Sequence, residues 1–350
     1  MAIGRFGLTL TTGRLLDAAR AITEDVLFPS AASVDAADRI PAGHLDLLAA
    51  QGFYGPAQDT PFPEFCRVVE TLASGCLATT FVWLQHLGGL RAARASVRPG
   101  IRERWDEPLS RGLRRGGVAQ GALRPGTPAV LAERVEGGYR FTGEAPWVTG
   151  WDLVDTLYTA ARDDTDTVIW ALLDAVPGEA LSVVPLDLAA VRASRTVAVR
   201  FDGLVVPDDR ITSTMPYADW RVRDAAGLRL NGSLALGVAA RCVGLLEAGS
   251  FGAGSFGAGS FGAGSLHRAL NECRDALDAG TPESMPAARA AASALAVRAA
   301  TALAAVTGAA AVLRGSYPER LTREALFLLV FGSRPSIKAA LMSQLALSDE

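Results

Sequence analysis

The stretch EAPWVTGWD, residues 144–152, sets Trp147 and Trp151 on either side of a Thr149-Gly150 pair, in a chain with only six tryptophans. A broad aromatic wall with one hydroxyl beside it suits a flat, largely apolar ring system whose polar atoms lie along its rim. The competing reading is that both rings fill a core between sheet and helices. On strict strand alternation Trp151 shares a face with Trp147, and core filling is the stronger reading for Trp151 alone. Other chemistry is harder to assemble. Cys66, Cys76, Cys242 and Cys273 lie far apart without a C-x-x-C pairing, and His44, His86 and His267 are equally scattered. Zinc-ligand spacing is missing, and the thiols read as buried or bystander groups in a reducing compartment. His86, in FVWLQHLGGL, faces a pocket or a helix core and is assigned no role. There is no G-x-x-x-x-G-K-S/T, no G-x-G-x-x-G between strand and helix, no H-E-x-x-H and no G-x-S-x-G. These gaps remove the P-loop, Rossmann, zincin and α/β-hydrolase readings.

The elements that must position the tryptophan segment change character along the chain. At 350 residues and 49% hydrophobic, the sequence can bury two or three packed units. A formal charge of −3 with a pI near 5.8 leaves no electrostatic footprint for nucleic acid. Lys338 is the only lysine, which together with the alanine richness reads as the coding bias of a GC-rich bacterial genome. The N-terminal residues lack the apolar core and cleavage site of a signal peptide. No apolar run reaches the length of a membrane span without a charged or glycine-rich interruption. The expectation is a cytoplasmic protein without a membrane partner.

Residues 1–115 read as helical: AGHLDLLAAQGFYGP and FPEFCRVVETLASGCLATTFVWLQHLGGLRAARA carry apolar faces broken at Ser74-Gly75 and Gly88-Gly89. From Gly116 the period becomes two. AVLAERVEGGYRFTGEAPWVTG predicts an antiparallel hairpin turning at Gly137-Gly138, and DTLYTAAR, DTVIWALLD, LSVVPLD and RTVAVRFDGLVVPDDRI follow as short strands. Strands at this spacing predict a β-sandwich or small barrel of roughly 90–100 residues, here 116–212. Helices return over 213–350, interrupted by a glycine-rich repeat at 249–265 in which GSFGA recurs three times. That composition predicts a flexible linker, consistent with a recent tandem duplication, rather than helix or strand.

This α-β-α order resembles the acyl-CoA dehydrogenase family of flavoproteins. LDLLAAQGFYGP, VEGGYRFTGEAPWVTGW, VAVRFDGLVVPDDRI and LTREALFLLVFGS carry the resemblance in the right order, from about residue 12 to 345. The second is the most specific, matching the family's G-E/K, two residues, then W-x-T-G or W-x-T-S. The implied fold is α+β: an N-terminal helical domain, a middle β-sandwich or barrel, and a C-terminal helical bundle meeting at a cleft for FAD. The resemblance implies that Trp147 packs near the isoalloxazine and that Thr149 hydrogen-bonds its N5 and O4 edge. It puts Gln120 in the slot of a threonine that meets the pyrimidine side, and an amide there both donates and accepts. Arg124 is new relative to the family; it stands either as a partner for an anionic substrate or pyrophosphate, or as a solvated loop residue.

Several family features are missing. The arginine of R-x-x-F-G has no counterpart, because Ala248, Ala253 and Ala258 stand three before each Phe of the repeat. Ser333 and Arg334 are the substitutes for holding FAD. The glutamate that takes the α-proton in much of the family is replaced by Phe331, which lines or fills the acyl cleft, and the stretch LRLNGSLALGVAARCVG of the first helix after the β domain has no acidic residue. Asp219 and Asp224 are the nearest acidic candidates for a base. The leading expectation is therefore an FAD-dependent oxidoreductase acting on an acyl thioester or related small molecule, with atypical or lost dehydrogenation chemistry. The alternatives are a flavin-free binding or scaffold member of the same fold, and an FAD-dependent oxidase or monooxygenase. Alanine-rich last helices expose enough apolar surface to predict a homodimer or homotetramer.

Overall fold

A computed structural model describes residues 12–55, 60–249, 262–332 and 334–345. Ser333 and most of the GSFGA repeat lie outside the described residues.

The N-terminal unit is built from α1 (Thr12–Ile22), α2 (Phe28–Ala36), α3 (Ala42–Ala50), α4 (Phe62–Gly75), α5 (Leu77–Ala95) and α6 (Pro99–Ser110). In α4, Phe65, Val68, Val69 and Leu72 recur at helical spacing and are all fully buried, while Pro63 sits in the first turn, where a missing N–H costs nothing. Helix α5 is apolar nearly all round because it is enclosed on two sides, by the other helices and by the sheet. Gly88-Gly89 does not break it, contrary to the expectation from sequence. These glycines let α5 lie on the sheet: a Cβ at Gly88 would stand 3.2 Å from side-chain atoms of both Tyr158 and Val118.

His86 belongs to this contact and proves structural. It is buried, its Nδ1 accepts the Gly116 N–H at 3.0 Å, and its ring meets Tyr54 edge-on with centroids 4.6 Å apart. Burial, assisted by the charges of Arg115 and Arg94, keeps the imidazole neutral and pulls its pKa down to about 3. The native state therefore binds fewer protons than the unfolded chain between about pH 3 and the ordinary histidine value near 6.5. This contribution is complete above pH 6.5 and is lost on acidification at about 1.4 kcal/mol per pH unit. From pH 7 to 4.5 the parent protein should lose about 2–3 kcal/mol more unfolding free energy than His86→Gln. Urea titrations at the two pH values measure it, and equal losses in both proteins would refute it.

The β unit contains β1 (Gly116–Ala119), β2 (Val130–Val135), β3 (Gly138–Val148), β4 (Thr156–Arg162), β5 (Thr167–Asp174), β6 (Leu181–Pro185), β7 (Val197–Pro207) and β8 (Ile211–Pro216). The β2–β3 hairpin forms as expected, Val135 pairing with Gly138 across a turn in which Gly137 adopts φ +73°. Strand order is β6-β7-β3-β2-β4-β5-β8, with β1 alongside β4 in parallel. The β2–β4 junction is a single pair, Leu131 with Arg162. The two halves of the sheet curl around one core, where Phe141 and Phe201 meet edge-to-face at 6.3 Å beside Val148, Trp151, Leu157 and Ile169. Strand β8 runs beyond the boundary expected at 212.

The C-terminal unit comprises α7 (Tyr217–Arg223), α8 (Leu228–Ala248), α9 (Ala263–Asp278), α10 (Met285–Thr307), α11 (Tyr317–Val330) and α12 (Pro335–Leu345). The end of the repeat is helical, not linker: Ala263, Gly264 and Ser265 form the first turn of α9. By length and composition alone, α8 and α10 are long and apolar enough to cross a membrane; α8 is mostly buried. Arg229, in α8, is enclosed with Glu70 of α4 and Asp278 of α9, and Arg274 of α9 donates to the same Glu70. This network ties the N-terminal helices to α8 and α9. Cys66, Cys76 and Cys242 are buried free thiols, and burial pushes Cys66 up to about 11 and Cys242 up to about 12. Among the described residues no cluster of His, Cys, Asp or Glu could hold a metal ion.

Candidate functional site

Unfavourable backbone conformations gather at the predicted tryptophan segment. Of the non-glycine residues described with positive φ, Trp147 (62°) and Asp152 (64°) bound this segment, and Val191 (51°) and Arg195 (52°) bound a second one. The remaining one, Asp166, lies in the β4–β5 turn. Such a conformation costs about 1–3 kcal/mol, most for a β-branched residue such as Val191, and persists only where surrounding contacts enforce it. Those contacts are visible. Gly150 N–H donates to the Ser194 carbonyl at 2.9 Å, Trp151 N–H to the Arg195 carbonyl at 3.0 Å, and Arg195 Nη2 to Asp152 Oδ2 at 2.8 Å.

A register shift between Ala145 and Val148, where β3 pairs with β7, changes what each predicted residue faces. Trp147 is thrown outward and is 52% exposed, whereas Trp151 lies past the strand end, 4% exposed within the β core. The two rings therefore share no face. The alternation assumed from sequence fails at the bulge, and core filling holds for Trp151. Thr149 is buried, with its hydroxyl 3.1 Å from that of Thr196, which lies 2.8 Å from the Ser194 hydroxyl.

Gln120 is exposed at the end of β1, entering a short 3-10 turn, Gly121–Leu123. Gly121 packs so tightly on β3 that a Cβ there would stand 2.7 Å from Ala145 Cα and from Pro146 Cδ. This close approach places the Gln120 turn against the residues that precede Trp147. Arg124 follows in the same turn and is exposed.

Phe331 caps the C-terminal end of α11, partly buried, with its ring 4.8 Å from that of Phe81 and 5.4 Å from that of Phe327. Helix α5 joins this aromatic cluster to the tryptophan segment: Phe81 touches Phe331, and the neighbouring Val82 side chain would be 3.3 Å from a Cβ at Gly150. Beyond Phe331, Gly332 adjoins Asn231 of α8, and Arg334 forms an ion pair with Asp224. Two residues singled out separately in the sequence, one for cofactor and one as a base, are thus each other's partners, and the Asp224 carboxylate is engaged. Asp219 stands exposed on α7. Ser333 lies outside the described residues.

The sequence carries little signal for the strained 191–196 segment. Nothing in AAVRASRT marks a left-handed turn, since it has no Gly, Asn or Asp. The one available signal is the Ser194-x-Thr196 spacing just before β7. A cavity of about 330 Å³ between α2, α8, α10 and α11, lined by Pro29, Leu245, Leu303, Thr307 and Tyr317, contains none of the predicted site residues.

No family model matches the sequence. A segment of 251 residues is 28% identical to benzylmalonyl-CoA dehydrogenase of Aromatoleum aromaticum, covering 67% of this chain and 66% of that protein. The match thus spans about two thirds of the curated relative's length. The structure is similar to butyryl-CoA dehydrogenase from Megasphaera elsdenii, with a TM-score of 0.82 at 16% identity over 97% of this chain and 98% of that one. It is also similar to dibenzothiophene monooxygenase from Paenibacillus sp. A11-2, with a TM-score of 0.78 at 17% identity over 94% and 95%.

Proposed function

We propose, from the premise that the chain has the acyl-CoA dehydrogenase fold, that it is an FAD-dependent oxidoreductase acting on an acyl thioester or a related small molecule. The observation that carries this reading is Trp147, an aromatic ring held half-exposed in a costly backbone conformation, with the Gln120 turn packed against its strand. These residues fit the ring end of the cofactor. Trp147 supplies a flat apolar wall, the Gln120 amide both donates and accepts at a rim, and buried Thr149 follows two residues after Trp147. When bound, FAD would supply the two-electron acceptor. Ser333 and Arg334 are the residues proposed for its phosphates, and Arg334, paired with Asp224, has further N–H groups to offer a phosphate. Phe331 walls the acyl cleft, and exposed Arg124 is free to meet an anionic group of the substrate.

Exposed Val312, Leu313, Leu326, Val330 and Met342 on the C-terminal unit support assembly as a homodimer or homotetramer through that unit. A cytoplasmic setting is proposed on the same footing as in the sequence.

The visible spectrum of the purified protein tests the cofactor: absorption near the flavin bands at about 370 and 450 nm is expected. A colourless protein that takes up no added FAD would instead establish the flavin-free scaffold reading. That reading is favoured by Phe331 standing where a base is needed and by the closed Asp224–Arg334 pair. Oxygen uptake by the reduced holoprotein scores the oxidase or monooxygenase reading, which the fold shared with dibenzothiophene monooxygenase supports.

Thr149→Val keeps β-branching and volume while removing the hydroxyl. It should weaken FAD binding by about 0.5–1.5 kcal/mol and alter the redox potential while the fold stays intact. FAD content and potential identical to the parent would remove Thr149 from the site.

A further inference from the structure

The hydroxyls of Thr149, Thr196 and Ser194 form a chain with two links, 3.1 Å and 2.8 Å long. Among the described residues the Ser194 and Thr149 hydroxyls touch no other side-chain or carbonyl partner, so these two are its ends. Three hydroxyls carry three hydrogens, and two links use two of them. One hydrogen is left over, and it sits on Thr149, on Ser194, or on Thr196 if Thr196 accepts from both neighbours. On Ser194, which is fully buried, or on Thr196, which is 4% exposed, the spare hydrogen would be a buried donor without a partner, and that is disfavoured. If the chain runs outward, Ser194 donates to Thr196, Thr196 donates to Thr149, and the spare hydrogen sits on Thr149. Thr149 is also buried, but it lies two residues from exposed Trp147, which marks the proposed flavin site, and there the bound ring would supply the acceptor.

We infer that Ser194 and Thr196 are positioning residues that set the Thr149 hydroxyl as an outward donor toward an acceptor edge of the bound ring. The inference rests on the flavin reading of this site and adds its polarity. The backbone supports it. Ser194 lies between left-handed Val191 and Arg195, and its carbonyl is held by the Gly150 N–H, so the chain is attached at both ends to the same pair of strained segments. A fixed donor favours a ring edge that accepts a hydrogen bond, as the oxidised flavin N5 does. It disfavours the reduced ring, whose N5 carries its own hydrogen. Breaking the chain at Ser194 removes the bias while leaving the Thr149 hydroxyl in place.

The test uses the full chain loaded with FAD, with Ser194→Ala, Thr196→Val, Thr196→Ser and Thr149→Val compared for FAD dissociation constant and midpoint potential. Ser194→Ala and Thr196→Val should each weaken oxidised-FAD binding by about two- to tenfold, the range for losing one such hydrogen bond. Both should move the potential to more positive values, in the direction of Thr149→Val. Thr196→Ser, which keeps the hydroxyl, should behave like the parent. If Thr149→Val shifts both readouts while Ser194→Ala and Thr196→Val leave them at parent values, the chain does not orient Thr149 and the inference falls alone. If Thr196→Ser shifts as far as Thr196→Val, packing rather than the hydroxyl is responsible, and the inference also falls. If the protein takes up no FAD, or Thr149→Val changes neither readout, the flavin reading itself fails and the inference with it.

Discussion

Glu70→Gln is expected to cost about 3–5 kcal/mol of folding stability, the magnitude for removing one partner of a buried ion pair. Glu70 is 5% exposed, and its two oxygens are divided between Arg229 Nη2 at 3.2 Å and Arg274 Nε at 2.9 Å. Neutralising it leaves the guanidinium groups of Arg229 and Arg274, with that of Arg67 3.9 Å from Glu70, facing Asp278, which lies 2.7 Å from Arg229. Burial works against the charge on Arg229, while Asp278 and Glu70 favour it, and a guanidinium does not give up its proton in a protein, so Arg229 stays charged and less well compensated after the substitution. Arg274 and Asp278 both lie on α9, so loss of Glu70 also loosens the helix that follows the GSFGA repeat. Urea unfolding of Glu70→Gln measures the effect, and a loss under about 1 kcal/mol would show that water already screens the cluster. A paired Glu70→Leu with Arg229→Met should recover much of the loss, because apolar replacement of a whole buried pair is often neutral.

Straight-chain acyl-CoAs are expected to leave the flavin of the FAD-loaded protein unbleached under anaerobic mixing. Dehydrogenation of a thioester requires a carboxylate within hydrogen-bond reach of the α-proton, and a positioned base contributes about 10²- to 10⁴-fold. At the end of α11 stands Phe331, stacked on Phe327 and meeting Phe81 edge-on, so the position is filled by ring against ring with no proton acceptor. Asp224 is held by Arg334, and Asp219 stands in solvent on α7. Rapid bleaching by any acyl-CoA would overturn the expectation. Loss of that bleaching in Asp219→Asn or Asp224→Asn would then identify the base.

The overall α-β-α order was legible in the sequence because it rests on period, and period reports which face is buried. The change from helical spacing to alternation at Gly116 and the Gly137-Gly138 turn are both found in the structure. The fold class read from the resemblance is borne out by the similarity to butyryl-CoA dehydrogenase. Features that depend on a single residue's backbone were hidden. The bulge that separates Trp147 from Trp151 leaves no mark on composition, and Val191 adopts a conformation its own type resists. Gly88-Gly89 looked like a helix end because glycine weakens helices, yet tertiary contact with Tyr158 and Leu172 outweighs propensity there. The Asp224–Arg334 pair was equally hidden, since 110 positions separate its members and neither carries a local signal of the other.

Helix α5 touches both walls of the proposed cleft, Phe81 meeting Phe331 and Val82 adjoining Gly150, while Gly88-Gly89 fixes its far end to the sheet. It acts as a ruler shared by two walls. A shift of the helix would disturb both contacts and would separate the glycines from Tyr158. Selection for a larger or smaller substrate therefore has one cheap route, exchange of side-chain volume at positions such as Phe81, Phe327 and Phe331 with the backbone left where it is.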